Sequence, residues 1–159
     1  MSGRRGKQPN RTEPAALDRR PPWAIVYAAR DDGISPGLTF LDACPGKVDA
    51  EFGAVLDAVA GAPPPAFSGG GKWEAMHGDM GGYYEIRLTG PGREQFRLFC
   101  LLENGTDAQL TERGLHKPAL AVITGLRKPW RTTLSANDYA GVRKLGDAYL
   151  ARLPRRVAT

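Results

Sequence analysis

The stretch YYEIRLTGPGREQFRLFCLLENG, residues 83–105, contains two alternating segments on either side of a Gly-Pro-Gly turn. Ile86 and Leu88 belong to the apolar set of the first segment, and Phe96 and Leu98 to that of the second. Alternation with a period of two around such a turn is typical of a β-hairpin. The stretch therefore predicts two antiparallel strands that share one buried face.

The same register places two arginines on the opposite face of this hairpin. If the apolar residues share a core face, Arg87 and Arg97 lie across from each other, directly or diagonally. Like charges at that spacing destabilise a sheet. A pair of arginines in this position therefore calls for an explanation other than stability.

The remaining segments predict a small α+β domain. Trp23 to Ala29 is a candidate first strand, and Ser35 followed by Pro36 is a candidate start of a short helix. The continuous apolar run from Ala119 to Thr124 is typical of a strand covered on both faces. Ser135, with an acidic residue three positions later, predicts the start of the last helix. Residues at helical spacing mark the inward faces of the second and last helices: Val48, Phe52, Val55, Leu56, Val59, Val142, Leu145, Tyr149 and Leu153.

The predicted order is strand, two helices, three strands, helix. This order favours an α+β fold, with a small, mostly antiparallel sheet and with two N-terminal helices and a C-terminal helix packed on it. Residues 1–22 are predicted to be a disordered basic tail, 23–154 to form the domain, and 155–159 to be a short C-terminal tail.

Charge is distributed unevenly along the 159 residues. Residues 1–22 carry six Lys/Arg and two Asp/Glu, residues 23–125 carry eight and thirteen, and residues 126–159 carry eight and two. The basic C-terminal block favours a polyanionic partner. A solvated basic helix face explains the same block without any partner, and the sequence leaves both explanations open.

The sequence lacks the features that indicate several classes of protein and site. No apolar run is long enough for a membrane span, and no apolar segment follows the N-terminal arginines as in a secretory signal. Cys44 and Cys100 are far apart, which predicts reduced thiols in a cytoplasmic protein. The glycines before Lys72 do not make a phosphate loop, because Trp73 follows where that loop needs Ser or Thr. The sequence predicts no metal site and no cofactor.

The remaining candidate functional residues are mostly lysines and arginines. Arg87 and Arg97 share the outer face of the hairpin, and Arg127, Lys128 and Arg131 follow the buried strand. If they converge, they suit RNA, because arginines bind phosphate oxygens and aromatic rings stack on bases. Phe99 and Trp130 are the candidate stacking residues. The alternative is a set of scattered solvated cations.

Such a site supports RNA cleavage without a metal ion. The ribose 2′-OH supplies the nucleophile, and arginines stabilise the charge that develops on the phosphate oxygens. A lysine whose pKa is lowered by neighbouring cations is a candidate acceptor for the 2′-OH proton.

Five segments resemble, in order, motifs of the RelE/ParE toxin superfamily, in particular its HigB-like, phage-derived branch. GISPGLTFLDAC resembles the start of the family's helical pair, and GGYYEIRL resembles its "YELR" strand. FRLFCLLENG and ALAVITGLRKPWRTT resemble the next two strands, the latter with its following basic segment, and SANDYAGVRKLGDAYL the closing helix. The resemblance covers about residues 23–153. Leu126, Arg127 and Pro129 depart from the pattern.

The resemblance implies the toxin of a type II toxin–antitoxin system, an mRNA endoribonuclease that acts on the ribosome in the cytoplasm. It implies a cognate antitoxin as partner, expected to be a helix-turn-helix protein encoded nearby, and no membrane. By position in the motifs, the expected catalytic residues are Arg87, Arg97 and Lys128. The expected substrate-binding residues are Arg127, Arg131, Phe99, Trp130 and Lys72. A non-catalytic relative that binds RNA or a protein partner is the alternative, and the gyrase-poisoning branch shares the fold.

Overall fold

The structure, a computed structural model, describes residues 22–64 and 71–158. The predicted disordered tail lies outside these residues, except for Pro22, and most of the glycine-rich loop before Lys72 lies outside them too. The described part of the chain is α+β, with a five-stranded, mostly antiparallel sheet and four helices.

The elements follow one another along the chain with short connections. They are β1 (Ala24–Tyr27), α1 (Pro36–Ala43), α2 (Gly46–Gly61), β2 (Trp73–Ala75), β3 (Tyr83–Thr89), β4 (Gln95–Glu103), α3 (Asp107–Glu112), β5 (Ala119–Lys128) and α4 (Ala136–Leu150). The strand order is β1-β5-β4-β3-β2. β1 runs parallel to β5, and the other neighbours are antiparallel.

The predicted hairpin is confirmed as β3 and β4. Ile86 pairs with Leu98 and Leu88 with Phe96, and all four side chains are buried. This register sets the outward residues as well, because side chains alternate between the two faces of a strand.

The predicted helix starts are confirmed at both ends of the domain. The Ser35 hydroxyl accepts a hydrogen bond from the Leu38 amide at 3.3 Å, and Pro36 is the first residue of α1. Ser135 and Asp138 form a reciprocal capping box at the start of α4. Each cap satisfies amide groups that the first helical turn leaves unpaired.

Two elements were not predicted. β2 is a three-residue edge strand against β3, too short for a periodic signal, and its Trp73 ring stacks on Tyr84 at 4.8 Å between centroids. α3 lies between β4 and β5. Thr106 and Gln109 form a capping box there, and the Thr-x-x-Gln pattern was a visible signal for it.

Helices cover both faces of the sheet. α1 and α2 pack on one face, where Phe52 and Leu56 of α2 meet Phe96, Leu98 and other strand residues. α4 packs on the other face, with Val142 and Tyr149 over Phe99 and Ile123. Residues 119–124 of β5 are all buried, as the continuous apolar run predicted.

The C-terminal residues 155–158 pack on the domain instead of forming a separate tail. Val157 pairs with Ala28 beyond the end of β1. The Arg155 guanidinium donates to the Glu103 carboxylate at 2.8 Å, and the Tyr149 hydroxyl donates to it at 2.7 Å. Because Glu103 is buried, these contacts compensate a desolvated charge. None of the helices in the described ranges has both the length and the apolar character needed to cross a bilayer.

Candidate functional site

The second face of the sheet holds a cavity beside the first turn of α4. Phe99 lies under the helix, while the part of β3 and β4 nearer their turn carries polar side chains. The cavity has a volume of about 250 Å³. Its lining residues are Glu85, Arg87, Gln95, Arg97, Leu126, Lys128, Thr132, Thr133, Leu134 and Tyr139.

The register of the sheet brings these side chains together. Arg87 pairs directly with Arg97, and on the other side of β4 Arg97 pairs with Leu126 and Gln95 with Lys128. The connection from β5 to α4 forms the remaining wall. It turns tightly, with the Thr132 hydroxyl donating to the Pro129 carbonyl at 2.6 Å.

Carboxylates compensate the arginine pair. The Arg87 guanidinium lies 2.9 Å from Glu74 of β2 and 3.7 Å from Glu85, so its charge is shared with two anions. The expected cost of two like charges is therefore offset within the fold. The pair by itself is weaker evidence for function than the alternation suggested.

Arg97 is the more buried of the two arginines. Its guanidinium donates to the Gln95 side chain at 3.0 Å and to the Phe96 carbonyl at 3.2 Å. Burial lowers the pKa of Arg97 from its ordinary value, and Glu85 acts in the opposite direction. A guanidinium whose hydrogen bonds go to neutral acceptors, and which forms no ion pair with another described residue, remains available to an anionic ligand.

Glu85 is the carboxylate of this cavity, and sequence reasoning missed it. Its side chain is only 12% exposed, and its Oε2 is buried without a hydrogen-bond partner. Burial raises the pKa of Glu85, with Arg97 and Arg87 acting in the opposite direction. A carboxylate with a raised pKa and an unused acceptor is suited to receiving a proton. Its place in β3, on the same alternating face as Arg87, was the signal that could have found it.

Lys128 lines the cavity, but its surroundings differ from those expected. Its ammonium lies 3.1 Å from the Asp138 carboxylate. The proposed role as proton acceptor needed cations around the lysine, and the group in contact is an anion. Asp138 also caps α4, and its pKa is lowered by the Ser135 amide first and by Lys128 second.

Three expected substrate-binding residues lie away from the cavity. Arg127 alternates to the opposite face, where it lies over the Phe96 ring and binds the Glu94 carboxylate through two nitrogens at 2.6 and 2.8 Å. Lys72 forms an ion pair with Glu51 of α2. Phe99 is fully buried, so it cannot stack on a base in this structure.

Arg131 and Trp130 form a separate surface feature. The Trp130 ring is exposed and has guanidinium carbons near its centroid, from Arg93 at 4.6 Å and from Arg131 at 4.5 Å. Neither Arg131 nor Trp130 lines the cavity. Of the eight site residues expected from sequence, the cavity therefore brings together Arg87, Arg97 and Lys128.

Tyr139 supplies an aromatic ring to the cavity, whereas Phe99 is buried beneath α4 and does not line it. It lies in the first turns of α4 and packs edge-on against Phe99, with ring centroids 6.2 Å apart. Burial raises the pKa of Tyr139, and Glu85 raises it further. The position falls three residues before Val142, on the inward stripe of the helix, so helical periodicity was the available signal.

Comparison with known proteins gives no further guide to this site. No protein-family model matches the chain. No curated protein and no solved structure matches it significantly either. Among residues 22–64 and 71–158, no group of three His, Cys, Asp or Glu side chains is placed to hold a metal ion.

Proposed function

We propose that this protein is an endoribonuclease that cleaves mRNA on the ribosome, as the toxin of a type II toxin–antitoxin pair with a RelE-like fold. The observation that carries the proposal is the cavity where Arg87 and Arg97 lie beside a largely buried carboxylate, Glu85. The order of strands and helices and the family-like motifs support it. The proposal includes a cytoplasmic location, where ribosomes are found.

The two arginines bind the scissile phosphate. Arg97 forms no ion pair with the residues that the structure describes, so a phosphate would be its first anionic partner. Arg87 already pairs with carboxylates, so a phosphate would displace a carboxylate there. Guanidinium groups match the geometry of phosphate oxygens. They stay protonated through the reaction, so their stabilisation of the developing charge is constant.

Glu85 replaces Lys128 as the proposed proton acceptor. The 2′-oxygen forms a bond to phosphorus while the bond from phosphorus to the 5′-oxygen breaks. The 2′-OH proton passes to the Glu85 carboxylate, and the leaving 5′-oxygen takes a proton from water. The products are a 2′,3′-cyclic phosphate and a 5′-hydroxyl. Lys128 adds positive charge at the rim, and Tyr139 offers its ring to a base.

Primer extension on a translated reporter mRNA tests the proposal. Induction of the wild-type chain should produce new 5′ ends that carry hydroxyl groups. The same reporter without a start codon should remain intact, because the cut requires the ribosome. Uncut mRNA in both cases, with folded protein present, would contradict the proposal.

The second candidate function is binding without cleavage. It is favoured by the ion pairs that already hold Arg87 to Glu74 and Lys128 to Asp138. Under this alternative the chain binds RNA or a protein partner, and RNA affinity survives while no new 5′ ends appear.

An antitoxin is the proposed protein partner. A basic cavity is complementary to an acidic segment, and a stable complex buries about 1,000 Å² or more. We expect the product of a neighbouring gene, proposed to be a helix-turn-helix protein, to co-purify and to restore growth. Arrested growth that this gene does not relieve would argue against the pairing.

A further inference from the structure

A second cavity adjoins the first on the far side of Tyr139. Its volume is about 360 Å³, and Tyr139 lines both cavities. Met76, Met80 and Ala136 give it an apolar wall, and Arg143 supplies a cation. Arg143 follows Tyr139 by four residues in α4, slightly more than one helical turn or about 6 Å along the axis. Because Tyr139 lines both cavities, we treat them as two compartments of one groove.

Arg143 resembles Arg97 in its partial burial and in forming no ion pair with another described residue. It is partly buried, and its recorded hydrogen bond goes to the Met80 sulfur at 3.4 Å. Sulfur is a weak acceptor. Neither Arg143 nor Arg97 forms an ion pair with another described residue, whereas Arg87 and Lys128 both do. Each compartment thus contains one partly buried guanidinium that forms no ion pair with a described residue, and Tyr139 lines both compartments.

We propose that the second cavity binds the nucleotide adjacent to the scissile phosphate, with Arg143 on the flanking phosphodiester. This inference rests on the proposed function, since it places a neighbouring nucleotide of the same RNA. The Tyr139 ring lies between the compartments, and the apolar wall accommodates a base. Stacking and phosphate contacts of this kind are how proteins hold single strands.

The other polar groups of the cavity fit this ligand. His77 and Asp79 are exposed at its rim. The Asp79 carboxylate is an acceptor for a ribose hydroxyl or a base amino group. One cation and one carboxylate match a single phosphodiester better than a more highly charged group.

Lys144 provides a matched control for Arg143. It is the next residue in α4, it is also a cation, and it lines a different cavity, together with residues 28–31 that follow β1. Replacing either residue with alanine removes one positive charge from the same helical turn. Only Arg143→Ala removes a charge from the groove.

Nuclear magnetic resonance titration of the full-length, ¹⁵N-labelled chain is the test. The probes are a trinucleotide of 2′-deoxyribonucleotides, which lacks the nucleophile and cannot be cut, and a nucleoside 3′-monophosphate. A hydrogen bond between charged groups contributes about 1.5–3 kcal/mol, so Arg143→Ala should weaken trinucleotide binding at least about tenfold. Lys144→Ala should bind the trinucleotide as the wild type does. Both variants should bind the mononucleotide equally.

Equal trinucleotide affinity in Arg143→Ala and Lys144→Ala would overturn the inference. Arg143→Gln, which keeps a polar side chain, serves the same comparison if the alanine variant loses spectral dispersion. Arg97→Ala separates this inference from the proposed function. If Arg97→Ala alone weakens binding, the second compartment is rejected and the first stands. If neither variant weakens binding, RNA binding at the groove is rejected as a whole.

Discussion

Arg87 of β3 and Arg97 of β4 are direct cross-strand partners, and Glu85 lies on the same face two residues before Arg87. The carboxylate is therefore diagonal to Arg97 and adjacent to Arg87, so the positive pair encloses a buried anion. Opposite charges this close stabilise one another more in a partly buried site than in water. The arrangement combines preorganised cations with a proton acceptor.

Replacing Arg87 with alanine should reduce mRNA cleavage about 10²–10³-fold, the usual effect of removing one preorganised donor to a developing oxyanion. Folding stability should fall by at most about 1 kcal/mol, because the lost partner, Glu74, forms an exposed ion pair. Primer extension and urea unfolding measure the two effects. Lys47→Ala, which removes an exposed cation of α2 on the other side of the sheet, should leave cleavage intact.

Glu85→Gln should change the pH dependence of stability. Burial raises the folded-state pKa of Glu85, so its contribution to stability is present below the unfolded pKa and is lost as pH rises through the folded pKa. Glutamine does not ionise, so the variant should gain stability relative to wild type over the pH range that begins at the ordinary Glu value of about 4.3 and extends upward. Melting temperatures across that range measure the difference. A variant that instead loses stability relative to wild type as pH rises would show that the arginines lower the pKa of Glu85 by more than burial raises it.

Replacing the two aromatic residues that were expected to stack on RNA, Phe99 and Trp130, should have different effects on folding stability. Phe99→Ala should cost about 3–5 kcal/mol, because it leaves a void in a fully buried cluster. Trp130→Ala should cost about 1 kcal/mol or less, since it removes exposed contacts with two arginines. Chemical denaturation of both variants gives the comparison. Similar small losses in both would contradict the burial of Phe99.

Arg155→Ala should destabilise the domain by about 3 kcal/mol, because breaking a buried ion pair leaves the Glu103 carboxylate less compensated. Arg156→Ala is the matched control. Its guanidinium is exposed and lies 3.9 Å from Asp31, so its loss should change stability by less than about 1 kcal/mol. Urea midpoints measured for the two variants should therefore separate clearly. Equal midpoints would mean that the contact between Arg155 and Glu103 does not stabilise the domain.

Arg127 was expected at the site but lies on the other face of the sheet, because β5 is longer than its apolar run. The apolar run ends at Thr124, but the strand continues to Lys128 because β4 provides hydrogen-bonding partners as far as Gln95. Within a strand, Arg127 and Lys128 point to opposite faces. Gly125 allows this continuation, because the Phe40 ring lies where a side chain would be, 2.1 Å from an added Cβ. Neither the pairing nor the packing is visible in a local pattern.

The sequence by itself determined the hairpin register, the helix starts and the buried strand, since each depends on periodicity or on groups within a few residues. It also placed Arg87 and Arg97 on one outward face, across from each other directly or diagonally, because alternation and one turn suffice for that; the direct pairing comes from the structure. The tertiary structure alone decided that Glu85 is buried between them, that Tyr139 reaches the cavity while Phe99 does not, and that Arg127 lies on the other face. These outcomes depend on how β2, β5 and α4 pack around the hairpin, and burial and strand pairing are properties of residues far apart in the chain.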